Sequence, residues 1–148
     1  MTGGLIALAA AVAAATMLGL ALRRRAGRFR SPAAVGGTGP GLLTEADLGA
    51  RLGERATLVQ FSTEFCAACP ATRRMLAQVA ETADGVTHVD IDAARRLDLA
   101  RRLHIASTPT VLVLGPDGAV VARAAGQPRK ADVIAALDAV PRPGAPAA

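Results

Sequence analysis

Phe61-Ser62-Thr63-Glu64-Phe65-Cys66-Ala67-Ala68-Cys69-Pro70 is the stretch whose reading decides the fold, because it holds both cysteines of the chain directly after the apolar run 57–62. Beyond it, Met75-Leu76-Ala77-Gln78-Val79-Ala80 carries apolar residues at helical spacing. The pattern predicts a strand, a turn holding a Cys-x-x-Cys pair, and a helix from Cys66 to about Thr82. Two cysteines at i and i+3 in a first helical turn share a face and lie close enough for a small-ring disulfide. The converging N–H groups and the positive end of the helix would lower the pKa of Cys66. Cys66 is thus the expected attacking thiolate, and Cys69, one turn further in, the less exposed resolving thiol. Two other readings stand beside this one. A closed structural zinc site takes four nitrogen or sulfur ligands, but the chain has only 2 cysteines and 2 histidines, with neither His88 nor His104 in a ligand pair. No metal is therefore expected. The second is a pair of buried structural thiols without chemistry.

Upstream, residues 5–22 form an uncharged apolar run that as a helix would reach about 27 Å, just long enough to span a hydrocarbon core of roughly 30 Å. A cleaved secretory signal carries positive charge before its apolar run. Here Met1-Thr2-Gly3-Gly4 carries only the terminal amine, and Arg23, Arg24, Arg25, Arg28 and Arg30 follow the run instead. That order predicts an uncleaved single-pass transmembrane helix, with the rest of the chain in the cytoplasm and the arginines against anionic lipid. These arginines account for the whole net charge of +5, and from residue 31 onward acidic and basic residues balance. The folded part thus has no basic face for nucleic acid. Its core must be aliphatic, since the chain has 3 Phe and no Trp or Tyr.

The expected organisation is a membrane anchor with its Arg cluster over 1–30, a flexible Gly/Pro-rich linker over 31–41, one domain over 42–140 and a disordered tail over 141–148. Within the domain, Thr44 and Asp47 look like the cap of a helix reaching about Leu52. Residues 86–91 alternate as a strand, with Val86, His88 and Asp90 on one side. A helix over 94–103 follows, then strands over 110–114 and 119–122 flanking the turn Gly115-Pro116-Asp117-Gly118, and a closing helix over 131–140. The order implies an α/β fold in which a parallel pair and an antiparallel hairpin make one mixed sheet with helices on both faces.

The strand Leu58-Val59-Gln60-Phe61, the segment Glu64–Cys69, the strand His88-Val89-Asp90-Ile91-Asp92, Thr108-Pro109-Thr110 before a strand, and Gly126 ahead of the last helix together resemble the thioredoxin family. More narrowly, the layout is similar to small membrane-anchored thioredoxins of actinobacteria. The resemblance spans about residues 44–140. It implies a thiol–disulfide oxidoreductase, needing no cofactor, that reduces disulfide-containing client proteins and is itself recharged by a reductase or other electron donor. It also implies a cis Pro109 packed against the cysteines, with Phe65, Thr108 and Pro109 meeting the bound polypeptide. Phe65 stands where the family has Trp, Ala67-Ala68 where it has Gly-Pro, and Gln60 where it has a buried Asp. His88 matches a nearby Lys. Gln60 and His88 are therefore expected to face one another behind Cys69, either as a proton-handling pair or as a core pair without a catalytic role. Two alternatives keep the fold. One is an exported exchange protein for disulfide or cytochrome maturation, and the other a binding module whose cysteines are incidental.

Overall fold

The computed structural model describes residues 2–25, 27–30 and 42–141. The expected linker over 31–41 and nearly all of the expected tail lie outside the described residues. The elements are helix α1 (Thr2–Arg25), helix α2 (Glu45–Leu48), strand β1 (Ala56–Ser62), helix α3 (Cys69–Thr82), strand β2 (Val86–Asp92), helix α4 (Leu97–Arg102), strand β3 (Thr110–Leu114), strand β4 (Val120–Ala125) and helix α5 (Lys130–Asp138). The sheet runs β2-β1-β3-β4, with β1 parallel to β2 and every other pairing antiparallel. The expected mixed sheet is present.

β1 is the central strand, and all seven of its residues are buried. Alternation sends Val59 and Phe61 to one face, where they pack with Leu43, Leu99, Leu103 and Leu112 of the layer holding α2 and α4. Ala56 and Leu58 face the other way, onto Leu76 and Val79 of α3 and Val133 and Leu137 of α5. Phe61 is the one fully buried aromatic ring; the other buried core side chains are aliphatic, and the half-buried Phe29 and Met75 pack against the α3–α5 side.

The helix ends depart from the sequence reading for local reasons. α2 stops at Leu48, short of Leu52, because Gly49 adopts φ 67 and its N–H closes back on the Glu45 carbonyl. At its start, Thr44 and Asp47 form the reciprocal capping box. α3 begins at Cys69 and not at Cys66. Pro70 has no N–H to give the Cys66 carbonyl, so Cys66 stays in a turn closed by the Cys69 N–H at 3.2 Å. α4 begins at Leu97 because the Asp92 carboxylate takes the Ala94 N–H at 2.9 Å and its carbonyl takes those of Arg95 and Arg96. β4 runs on to Ala125, beyond the expected 122.

Gly27–Arg30 lies along the open edge of β4, with Arg30 and Arg123 exchanging backbone hydrogen bonds of 2.7 and 3.0 Å and the Gly27 N–H on the Ala125 carbonyl. Gly27 is at φ 80, and a Cβ there would collide with the Gln127 carbonyl. The backbone around Arg28 and Arg30 therefore completes a sheet edge. α1 is a 24-residue helix whose side chains from Ile6 to Leu22 are exposed. Among the described residues, no helix is long and apolar enough to cross a membrane. The expected transmembrane span is not supported.

Phe61 is the largest fully buried side chain, so Phe61→Ala should cost about 3–5 kcal/mol. Against a total stability of about 5–15 kcal/mol, urea titration should show a midpoint shifted far down, or a chain already unfolded in water.

Candidate redox site

β1, β2 and β4 end, and β3 begins, at one end of the sheet, since Phe61 pairs with Thr110 and Ile91, and Thr110 with Ala125. The turn 63–68 that follows β1 and the loop 103–109 that precedes β3 therefore meet there. This is the end of the sheet where open α/β folds place their sites.

Cys66 and Cys69 are joined in a disulfide, with their Cα atoms 5.4 Å apart. Cys69 is 2 % exposed while Cys66 keeps part of its surface open. The difference follows from position: Cys69 opens α3 on the face turned to the sheet, and Cys66 lies in the turn outside it. Phe65, next to Cys66, is 93 % exposed, which leaves a large apolar ring in water at the mouth of the site. The Thr108–Pro109 bond is cis. Pro109 is buried, and its carbonyl accepts the Gly126 N–H at 2.8 Å. The Thr63 and Thr108 hydroxyls are hydrogen-bonded at 3.0 Å, tying the turn before the cysteines to the residue before Pro109.

Behind the disulfide, Gln60 is fully buried on the α3 side of β1 and donates through Nε2 to the Cys69 carbonyl at 3.1 Å. Its Oε1 has no partner among the described residues. His88 shares that face on the neighbouring strand, but its register partner is Leu58, and Asp90 is the residue beside Gln60. Among the described residues, no hydrogen bond joins Gln60 to His88. Asp90 accepts from the Ser62 hydroxyl at 2.8 Å and from Arg73 Nε at 2.7 Å. No local sequence pattern marks this trio. Only the β1–β2 register brings Ser62 and Asp90 under α3. Burial is the main influence holding the His88 imidazole below its usual pKa; the Asp90 charge opposes it and the Arg73 charge adds to it. His88 Nε2 is buried without a partner among the described residues. His104 is exposed, at φ 50. Among the described residues, no group of three His, Cys, Asp or Glu side chains could hold a metal ion.

Comparison with known proteins agrees with this geometry. Among solved structures, the chain is similar to thioredoxin-2 of the malaria parasite, described as a component of its protein secretion machinery (19% identity, TM-score 0.55, covering 62% of this chain and 89% of that one). It is also similar to a mutant thioredoxin of Halobacterium salinarum (18%, 0.56, 63% and 80%) and to the thioredoxin of Fasciola hepatica (18%, 0.53, 60% and 84%). At such identities these likenesses speak for the fold. No curated protein matches the chain. The family model named Thioredoxin matches residues 43–139, which take in β1 to α5 with both cysteines and Pro109, and the chain therefore belongs to the thioredoxin family.

Proposed function

We propose that the chain is a protein-disulfide reductase. The observation that carries the reading is the asymmetry of the cysteine pair: one sulfur is accessible and the other sealed, as nucleophile and resolving thiol require. In the reduced protein, Cys66 lies at the positive end of α3, which favours its thiolate. That thiolate attacks one sulfur of a client disulfide, and the other client sulfur leaves as a thiolate and takes a proton. Cys69 then loses its proton and attacks Cys66 Sγ, releasing the second client thiolate and closing the Cys66–Cys69 disulfide. The client gains two electrons and two protons in all, and a reductase or other donor restores the dithiol. Phe65 offers the client an apolar contact, and Thr108 and Pro109 offer backbone.

His88 is the candidate acceptor for the Cys69 proton, with Gln60 holding the first turn of α3 in place. What supports this is a neutral, half-buried imidazole on the same sheet face as Gln60. The location is proposed on equal terms: the apolar run 5–22 docks in a membrane and leaves the domain on the cytoplasmic side. Its support is the unpartnered apolar surface of α1 and the arginines that follow it.

Cys66→Ser should abolish insulin reduction, and Cys69→Ser should accumulate mixed disulfides with clients in cells. A wild-type chain that neither reduces insulin nor, as Cys69→Ser, traps any partner would be a binding module instead. For His88 the folded pKa is depressed, so the folded chain resists a proton that the unfolded chain takes up. Its contribution is full above the usual pKa of 6.5 and is lost as the pH falls below it. Thermal melts between neutral and mildly acidic pH should show that decline, and His88→Ala should flatten it. The same variant should alter the pH profile of insulin reduction; an unchanged profile removes His88 from the chemistry. A C-terminal reporter active only after export should stay silent, and its activity would point to the exported alternative.

A further inference from the structure

The loop that carries Thr108 and Pro109 is held by a side chain with no part in the exchange steps. Arg123 is the lone charge in β4, Val-Val-Ala-Arg-Ala-Ala, on the face opposite the buried Ala122 and Ala124. Its guanidinium donates through Nη1 to the Leu103 carbonyl and through Nη2 to the His104 carbonyl, both at 2.6 Å. These carbonyls lie just past α4, at the negative end of its dipole, where the chain leaves the helix with His104 at φ 50. A planar fork can serve two neighbouring carbonyls at once, which a single ammonium does less well. Burial draws the Arg123 pKa down from the usual arginine value, and no carboxylate pairs with it among the described residues.

The backbone of Arg123 is fixed on both sides, by Leu112 in β3 and by Arg30 in the edge segment. Three residues further on, the Gly126 N–H holds the Pro109 carbonyl. β4 and the residue after it thus grip the loop 103–109 at both ends, through the Arg123 side chain at the loop's start and the Gly126 N–H at its finish. The Thr63–Thr108 hydroxyl contact adds a third tie near Pro109.

We propose that Arg123 is a positioning residue for client binding: by holding the Leu103 and His104 carbonyls it sets where residues 105–109 stand, and with them the backbone of Thr108 that a bound polypeptide meets. The inference rests on the reading of the chain as a protein-disulfide reductase. A polypeptide client needs that surface, whereas a small disulfide needs only access to Cys66.

Full-length wild type, Arg123→Met and Arg123→Lys are compared with dithiothreitol as reductant, using insulin and hydroxyethyl disulfide as substrates, alongside thermal melts. Losing two charge-assisted hydrogen bonds should raise KM for insulin about tenfold in Arg123→Met. Turnover of hydroxyethyl disulfide should stay at the wild-type rate, and Arg123→Lys should recover part of the loss. An unchanged KM for insulin in folded Arg123→Met, or equal slowing on both substrates, overturns the proposal. Should Arg123→Met fail to fold, Arg123→Lys carries the same comparison. If wild type reduces neither substrate, the reductase reading itself falls. The clamp is then read from amide hydrogen exchange over residues 105–108: faster exchange in the variant upholds it, and an unchanged rate overturns it.

Discussion

β1 is hydrogen-bonded along both edges and buried on both faces, and the rest of the molecule depends on that double constraint. A slip of one residue would send Val59 and Phe61 to the α3 face and bring Gln60 out among Leu99 and Leu112, so the register has one solution. With the register fixed, the end of β1 must lie beside the start of β3. The turn that delivers Cys66 and the loop that delivers Pro109 are then neighbours by construction, although more than thirty residues separate them along the chain.

The elements inside the domain were largely legible, since each rests on a local signal. Period-two alternation marks β2, the Gly115–Gly118 turn marks the β3–β4 hairpin, and Thr44 with Asp47 marks the start of α2. What the sequence concealed was set by single hydrogen bonds or by pairings between distant strands. The absence of an N–H on Pro70 moved the start of α3 to Cys69, and the Asp92 side chain delayed α4. Ser62, Asp90 and Arg73 come together only through the β1–β2 register and the seating of α3, which no local pattern records.

The N-terminal arginines show the same limit from another side. Side-chain charge describes what a segment does in a field, and residues 23–30 read accordingly as a juxtamembrane cluster. The backbone of Gly27–Arg30 answers a different need, because β4 would otherwise present an open row of N–H and C=O groups. Arg123 carried a signal that could have been read: a single charge in a strand of small apolar residues must find partners or face water. Its partners are carbonyls, a possibility that a search for opposite charges passes over.

Behind the disulfide the chain places an amide where its family keeps a carboxylic acid, and the physical consequences are distinct. A carboxylate buried there would resist ionisation and could take up and release a proton. The Gln60 amide stays neutral at every working pH and exchanges none, yet its Nε2–H binds the Cys69 carbonyl and so ties the first turn of α3 to the central strand. Tethering and proton transfer, which one acid could combine, must then be divided. Gln60 can do only the first, so the proton of a reduced Cys69 has to pass to water or to a neighbouring base. His88 is the base proposed for that step: it lies on the same sheet face, beside Leu58, with its pKa lowered chiefly by burial and its Nε2 without a hydrogen-bond partner among the described residues.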